Sequence, residues 1–300
     1  MLKKKIPRSK EKIILISSNY AWTIYNFRLP LINKLKLEGY KVIVLTQFDG
    51  YEDLFKDDVD FMLNLYISRK GLNPLIDFVT FLNFFSILAR YRPEFLLLFS
   101  IKPVIYGSLA SKLLRVKTIS MITGLGTSFI LNNWLTKLVS FLYKISISKN
   151  LILFFQNSED KCIFINRKII KPNKADLIPG SGIDLDQFIS KQEKINSDFI
   201  FLLIARMIRD KGVEEYVSAA KIVKSKYPKV RFQLLGPLGV QNLSAIDKNQ
   251  IQIWENEGAI EYMGETDNVI PFIDQASCIV LPSYREGTSR VLLEGAAMSK

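Results

Sequence analysis

Residues 199–235, FIFLLIARMIRDKGVEEYVSAAKIVKSKYPKVRFQLL, contain two strand-like segments on either side of a helical one. Residues 199–204 and 230–235 are short apolar runs rich in residue types that favour strands. Val213–Lys226, between them, has the longer amphipathic pattern of a helix. A strand, a helix and a second strand in this order predict a βαβ unit with parallel strands, and therefore an α/β fold.

The same alternation continues along the rest of the chain. Further strands are predicted at residues 13–17, 42–46, 95–99, 117–122, 151–156, 259–263 and 278–281, and helices at 27–38, from Pro103 to about Leu114, and from near Thr288. We expect two Rossmann-like, doubly wound domains, over residues 1–187 and 188–300, that face each other across a cleft at the carboxyl ends of their strands. Because the chain stops at Lys300, soon after the last predicted helix starts, the C-terminal domain is expected to be truncated.

The composition narrows the possible functions. The net charge of +12, from 41 Lys and Arg against 29 Asp and Glu, predicts an anionic partner such as nucleic acid, a phosphorylated small molecule or an acidic membrane surface. No His occurs, which argues against Ser-His or Cys-His catalysis and against zinc hydrolysis. Cys162 and Cys278 have no metal-ligand spacing. The basic N-terminus lacks a signal peptide's apolar core, and with no apolar run of about 18 residues, no transmembrane segment is expected.

Residues 282–294, PSYREGTSRVLLE, follow a predicted buried strand and open a helix. Free amides at a helix start attract phosphate, and Gly287 permits close approach. Glu286 lies in the loop and Glu294 about two turns along the helix, so both carboxylates can accept hydrogen bonds from sugar or ribose hydroxyls. Two such glutamates alone are also typical of a solvated surface helix; the strand-to-helix context favours a binding site.

Arg206 and Lys211 lie in a second loop that directly follows a predicted strand. Basic residues in such a loop are often only solvated. At the carboxyl end of a strand, however, two cations can neutralise a diphosphate leaving group. Their convergence with the glutamate segment on the same predicted cleft favours this functional interpretation.

Together these motifs resemble the retaining GT-B glycosyltransferases of the large family 4 group, which carry a Glu-x7-Glu signature and an Arg-x4-Lys pair. The resemblance extends to residues 25–30 (YNFRLP), 101–107 (IKPVIYG), 123–126 (TGLG) and 180–184 (GSGID). These segments are most similar to the bacterial branch that extends polyprenyl-diphosphate-linked sugars with N-acetylgalactosamine or a related residue. The resemblance implies a donor bound as a UDP-sugar and a lipid-linked acceptor.

Site residues follow from this resemblance by position. Arg206 and Lys211 would hold the diphosphate, Glu294 the ribose and Glu286 the hydroxyls of the donor sugar, with contacts from Gly287 and Thr288. In the first domain, the loop of Ser18, Asn19 and Tyr20 lacks the glycines of the family's phosphate-facing turn, so Asn19 is expected to substitute. The family's donor-contacting His is also absent, and the turn at residues 123–127, including Gly124 and Thr127, is the expected replacement.

The resemblance also implies the mechanism. The acceptor hydroxyl would attack on the face that the diphosphate leaves, and a phosphate oxygen would take its proton, so no side-chain base is needed. Asp184 and Asp186 imitate a metal-binding Asp-x-Asp motif, but they lie at the predicted hinge and are interpreted as structural. No metal or other cofactor is expected.

Two apolar stretches bear on the acceptor. Residues Trp134, Leu135, Leu138, Phe141, Leu142 and Ile145 share one helical face flanked by Lys137 and Lys144, which suits either a helix in a membrane interface or one packed on its sheet. Residues 75–88 are more uniformly apolar and suit core or lipid contact equally. With the positive charge, these stretches predict peripheral attachment to an anionic membrane surface, at the cytoplasmic face of a bacterial cell membrane.

Three alternatives remain open. The chain could transfer sugar to a soluble acceptor, or it could be an inactive fragment, since the family usually continues for several tens of residues past the second glutamate. A basic nucleic-acid-binding protein is a third, but no zinc finger, aromatic RNP pattern or basic recognition helix is visible, and no nucleic-acid partner is expected.

Overall fold

The computed structural model of the chain describes residues 12–68, 73–125, 134–190, 198–240, 242 and 244–300. The chain divides into two compact units, Met1–Ser181 and Gly182–Lys300. The division falls in a turn where Gly180 and Gly182 have φ angles of 71° and 68°, a conformation that favours glycine. The predicted boundary, between residues 187 and 188, lies six residues further along.

The unit Met1–Ser181 is built on a seven-stranded parallel sheet in the order β3-β2-β1-β4-β5-β6-β7. Its strands are β1 Ile13–Tyr20, β2 Lys41–Gln47, β3 Phe61–Asn64, β4 Phe95–Phe99, β5 Lys117–Ile122, β6 Ile152–Phe155 and β7 Ala175–Leu177. Its helices are α1 Ala21–Leu37, α2 Pro74–Tyr91, α3 Ser108–Leu114, α4 Trp134–Ser146 and α5 Ser158–Asn166, with a π-helical turn at Pro103–Gly107 before α3. The strand order reverses between β1 and β4, and the carboxyl edge of such a switch point is where α/β sheets bind ligands.

The unit Gly182–Lys300 contains a four-stranded parallel sheet in the order β10-β9-β8-β11. Its strands are β8 Ile200–Ile204, β9 Arg231–Leu235, β10 Glu261–Tyr262 and β11 Cys278–Ile279, and its helices are α6 Val213–Lys226, α7 Lys248–Asn256, α8 Ile270–Gln275 and α9 Arg290–Ala297. Each unit has two clusters of buried apolar side chains, so each sheet is covered by its own helices. The predicted α/β class with parallel sheets is confirmed.

Helix α1 begins earlier than its sequence pattern predicts. It starts at Ala21 rather than at residue 27, and Ser18, Asn19 and Tyr20 are the end of β1 rather than a loop. The side chain of the N-cap residue, Tyr20, makes no capping hydrogen bond. Instead, the Asp49 carboxylate accepts a hydrogen bond from the backbone N–H of Trp22 at 3.2 Å. Because this partner is 27 residues away, local sequence signals cannot mark the helix start.

Helix α2 is, among the described residues, long and apolar enough to cross a membrane by length and composition, with a mean hydropathy of 1.2. Length and composition alone do not contradict the expectation that no segment spans a membrane, which stays a prediction. Yet the helix packs on its own sheet: Phe84 and Leu88 are fully buried in the core, and Asp77 forms a 2.7 Å ion pair with Lys102. One face of α2 therefore packs on the sheet, and one such helix is weak evidence for a span.

The apolar face predicted for helix α4 is only partly packed on the sheet. Leu135 and Leu142 pack against the core, whereas Trp134 and Phe141 remain 69% and 59% exposed. Leu138 and Ile145 are exposed as well. The sheet-packed face consists instead of Thr136, Val139, Tyr143 and Ser146. Four of the six predicted apolar side chains thus face away from the sheet.

Two phenylalanines on α2 offer a matched test of this packing. We expect Phe84→Ala to lower the free energy of unfolding by about 3–5 kcal/mol, because it leaves a cavity in the core. Phe78→Ala should cost less than about 1 kcal/mol, since that ring is 58% exposed. Urea denaturation followed by circular dichroism measures both. Equal effects of the two substitutions would contradict the docking of α2 through Phe84.

Candidate functional site

The loop after β8 carries both predicted cations. Arg206 is exposed, two residues past the end of the strand. Lys211 ends a 3₁₀ turn, Arg209–Lys211, and its side chain is only 20% exposed. Gly212, with φ of 72°, lies between this turn and α6. The strand end and the turn therefore hold the two cations at the carboxyl edge of the second sheet.

The loop after β11 carries the first glutamate. Helix α9 begins at Arg290, later than predicted, and the Ser289 side chain caps it by accepting a hydrogen bond from the N–H of Leu292. Gly287 and Thr288 consequently lie in the turn before the helix rather than in its first residues. They remain close to the amino-terminal end of α9, where backbone amides favour anions.

These two loops are bonded to each other. The Lys211 ammonium forms an ion pair with the Glu286 carboxylate. The carbonyl oxygen of Asp210 accepts hydrogen bonds from the N–H of Tyr284 at 3.1 Å and from the hydroxyl of Ser283 at 3.2 Å. The structure therefore brings Lys211, predicted to bind the diphosphate, into contact with Glu286, predicted to bind the sugar. Hydrogen bonds from one loop to the backbone of the other support this contact.

Gly212 makes this approach possible. A Cβ atom built on Gly212 would lie 2.1 Å from the carbonyl oxygen of Pro282, far inside contact distance. Its φ of 72° lies in the left-handed region that favours glycine. Only glycine satisfies both conditions, so the residue that follows Lys211 determines how near the two loops lie.

Glu294 lies on α9 and is 5% exposed. Burial raises the pKa of its carboxyl group, and Arg290, one turn earlier, opposes this shift through a 2.7 Å hydrogen bond and its positive charge. Arg290 thereby favours the ionised form, which is the better acceptor for hydroxyl groups. Arg290 is not among the site residues predicted from the sequence, although its spacing of four residues from Glu294 is the signal for such a pair.

The arrangement can bind a molecule that carries both negative charge and hydroxyl groups. Arg206 and Lys211 supply positive charge, and Glu286 and Glu294 supply acceptors. A phosphate that reaches Lys211 would compete with Glu286, and the freed carboxylate could then accept from a neighbouring hydroxyl. A sugar joined to a diphosphate offers both kinds of group.

Two of the predicted residues of the first unit, Asn19 and Gly124, lie along the carboxyl edge of its sheet. Asn19 is near the end of β1, and its buried Oδ1 atom has no hydrogen-bond partner among the described residues. Gly124 follows β5 with φ of 143° and open space where a Cβ would stand. Thr127 lies outside the described residues.

Asp184 and Asp186 form a local turn. The Asp184 carboxylate accepts a 3.0 Å hydrogen bond from the backbone N–H of Asp186. Over the residues that the structure describes, there is no cluster of three or more His, Cys, Asp or Glu side chains that could hold a metal ion. The side chain of Asp184 is thus used in a turn.

Gly212 and Gly258 provide a matched test of the loop contact. Both have positive φ angles, 72° and 69°, but only Gly212 has atoms where a Cβ would stand. Gly258→Ala should cost about 1–2 kcal/mol of unfolding free energy for the left-handed backbone alone. Gly212→Ala should cost about 1–3 kcal/mol more because of the collision with Pro282. Chemical denaturation measures both, and equal costs would contradict the close approach.

Comparison with known proteins identifies both units. Residues 186–300 match the family model described as "Glycosyl transferases group 1", and residues 12–157 match "Glycosyl transferase 4-like". One relative is the N,N'-diacetylbacillosaminyl-diphospho-undecaprenol alpha-1,3-N-acetylgalactosaminyltransferase of Campylobacter jejuni. It is 28% identical over 94% of this chain and 77% of its own length.

Solved structures share the fold at low sequence identity. The HepE protein of Anabaena, solved in complex with UDP-glucose, superposes with a TM-score of 0.74 at 13% identity, over 96% of this chain and 79% of its own. Sucrose-phosphate synthase from Thermosynechococcus elongatus superposes with a TM-score of 0.71 at 17% identity, over 96% and 79%. With two Rossmann-like units that match two glycosyltransferase models in chain order, this protein belongs to the GT-B glycosyltransferases.

Proposed function

We propose that this glycosyltransferase moves a hexose or N-acetylhexosamine, with N-acetylgalactosamine the first candidate, from a UDP-sugar to a polyprenyl-diphosphate-linked saccharide. The observation that carries the proposal is the Lys211–Glu286 contact between the loops after β8 and β11. Two similarities support the substrates: the C. jejuni relative is named for transfer to a diphospho-undecaprenol sugar, and HepE was solved with UDP-glucose.

On the donor side, Arg206 and Lys211 bind the diphosphate of the UDP-sugar. Glu286 accepts hydrogen bonds from hydroxyls of the transferred sugar, and Glu294 accepts from the ribose. Gly287 and Thr288 contribute contacts from the turn before α9. Positive groups already in place at the leaving diphosphate each lower the barrier by roughly 2–4 kcal/mol, by analogy with other fixed charge stabilisers.

The proposed reaction retains the anomeric configuration. The bond between the anomeric carbon and the β-phosphate oxygen breaks, and a bond forms from that carbon to the acceptor oxygen on the same face. The acceptor proton moves to the departing phosphate oxygen, and UDP leaves. Because the leaving group takes the proton, this step uses no side-chain base, and the proposal assigns the leaving charge to Arg206 and Lys211 without a metal ion.

Glu286 and Glu257 allow a controlled test of the donor site. Both are ion-paired glutamates of the same unit, Glu286 with Lys211 and Glu257 with Lys221. In a panel of nucleotide-sugars, we expect Glu286→Gln to lower the rate of UDP release about 100-fold or more, and Glu257→Gln to leave it unchanged. The anomeric configuration of the product, read by NMR, tests retention.

Four outcomes of this panel would count against parts of the proposal. Consumption of no donor by the wild-type protein, or equal rates for Glu286→Gln and wild type, would overturn the donor site. An inverted product would overturn the retaining mechanism alone. Undiminished turnover on a lipid-free acceptor would favour the alternative of a soluble substrate.

The acceptor side of the proposal places the protein on an anionic membrane at the cytoplasmic face. Helices α2 and α4 pack on the same core cluster and expose apolar side chains: Leu75, Phe78, Val79 and Leu82 on α2, and Trp134, Leu138, Phe141 and Ile145 on α4. The segment of residues 73–150 contains nine Lys and Arg but only two carboxylates, Asp77 and Glu94. Exposed aromatic side chains within a basic segment suit the interface of an anionic bilayer.

Flotation with liposomes tests this attachment. We expect Trp134→Ser with Phe141→Ser to lower the partition coefficient onto vesicles containing anionic phospholipid at least about tenfold, because two large apolar groups no longer enter the interface. Leu37→Ser, which removes an exposed apolar side chain on α1, should have no effect. Binding that is insensitive to salt and to the double substitution of Trp134 and Phe141 would contradict the proposed surface.

A further inference from the structure

Arg28 on α1 is a buried cation that has no acidic partner among the residues that the structure describes. The residue is 7% exposed. Its guanidinium lies 3.9 Å from the centre of the Phe99 ring, and it donates only to the carbonyl oxygen of Phe27 at 3.3 Å and to the sulfur of Met121 at 3.8 Å. No carboxylate within the described ranges pairs with it, and residues 126–133, outside those ranges, contain no Asp or Glu.

Such an arrangement is costly for the unbound protein. Burial lowers the pKa of Arg28 to about 10, so the side chain still carries its charge at neutral pH. A buried charge needs a partner of opposite sign and several hydrogen bonds to offset its lost hydration. The Phe99 ring offsets part of this cost, and the two acceptors are neutral and distant. The guanidinium therefore retains unused donors of the kind that bind phosphate.

The position of Arg28 is that of a ligand site. Phe99 is the last residue of β4 and pairs in register with Met121, next to the end of β5, so the guanidinium lies under the carboxyl edge of these strands. This edge adjoins the switch point between β1 and β4. Ser100, directly after Phe99, has a left-handed φ of 71°, which is unusual outside glycine and is found disproportionately at functional sites.

A second polar group on the same edge also has no partner. The buried Oδ1 atom of Asn19, near the end of β1, makes no hydrogen bond within the described part of the chain. The hydroxyl of its neighbour Ser18 lies within hydrogen-bond distance, 3.2 Å, of the hydroxyl of Ser100, the residue with the left-handed φ. An unpaired cation and an unpaired amide oxygen beside one strained turn indicate a ligand with both anionic and hydroxyl or amide groups.

We propose that Arg28 anchors a phosphate subsite in the unit Met1–Ser181, and that its ligand is the diphosphate of the lipid-linked acceptor. The identity of the ligand rests on the proposed function, in which Arg206 and Lys211 already bind the diphosphate of the donor. The acceptor's diphosphate is then the remaining anion that needs a cation. Arg28 binds and positions this group and does not take part in bond exchange.

Steady-state kinetics of Arg28 variants test the assignment. With a polyprenyl-diphosphate-linked saccharide, we expect Arg28→Met to raise the acceptor KM at least tenfold and to leave the donor KM unchanged, while Arg28→Lys restores part of the loss. Arg167→Met, at an exposed arginine of the same unit, is the control and should behave as wild type. An unchanged acceptor KM in Arg28→Met, or a raised donor KM instead, would overturn the acceptor assignment.

Thermal denaturation separates this role from a purely structural one. If Arg28 awaits a ligand, the unbound Arg28→Met protein should melt at the wild-type temperature or higher, since an unpaired buried charge has been replaced by an apolar side chain. A structural role predicts a lower melting temperature together with an unchanged acceptor KM, and that combination would overturn the proposal.

Pyrophosphate binding tests the subsite independently of the lipid-linked substrate. In a full-length variant with Arg206→Ala and Lys211→Ala, we expect calorimetry to detect pyrophosphate binding that Arg28→Met abolishes and Arg167→Met does not. Binding that survives Arg28→Met would overturn the subsite. If wild-type protein uses no polyprenyl-linked acceptor but pyrophosphate binding still depends on Arg28, the proposed function fails and the phosphate subsite stands.

Discussion

The contact between Gly212 and the carbonyl oxygen of Pro282 fixes the geometry of the candidate donor site. A side chain at position 212 would collide with that oxygen, and the left-handed backbone excludes most residues in any case. Because the loops after β8 and β11 touch at this point, Lys211 and Glu286 meet although 75 residues separate them. The charged chemistry of the unit Gly182–Lys300 therefore depends on a close approach between two uncharged backbone segments.

The charges in the two units are arranged differently. In Gly182–Lys300, Glu286 is paired with Lys211 and Glu294 with Arg290. An incoming phosphate must displace a carboxylate from Lys211, which lowers the net gain from binding but releases Glu286 for hydroxyl groups. Arg28 has no carboxylate to displace within the described part of the chain, so on the proposed assignment a phosphate gains the whole attraction of that buried cation. A binding site can thus hold its cation in an ion pair that the ligand must displace, or leave it without a carboxylate, which lowers the stability of the unbound protein.

Sequence patterns predicted the parts of this protein that local forces determine. The bounds of β4, β5 and α6 agree with their predictions, because β4 is a continuous apolar run, β5 contains residue types that favour strands, and α6 has a clear amphipathic period. The edge strands β3 and β7 were missed because they are short, and the start of α1 because Asp49 supplies its cap from a distance. Spacing predicted Lys211 and Glu286 as site candidates. It could not predict that they touch, or that Arg28 is buried, since both depend on tertiary packing.

Arg28 and three of the exposed apolar side chains, Leu75, Phe78 and Trp134, lie on opposite faces of the first sheet but toward the same edge. Helices α2 and α4 pack on one core cluster, whereas Phe99 and Met121, which contact Arg28, belong to the other. A helix that connects two parallel strands runs antiparallel to them, so the first turns of α2 and α4, with Leu75, Phe78 and Trp134, lie at the carboxyl edge. A polyprenyl chain held in a bilayer against those turns would bring its diphosphate to that edge, and it could reach Arg28 without passing through the sheet. The proposed membrane surface and the proposed phosphate subsite are therefore compatible with a single acceptor molecule.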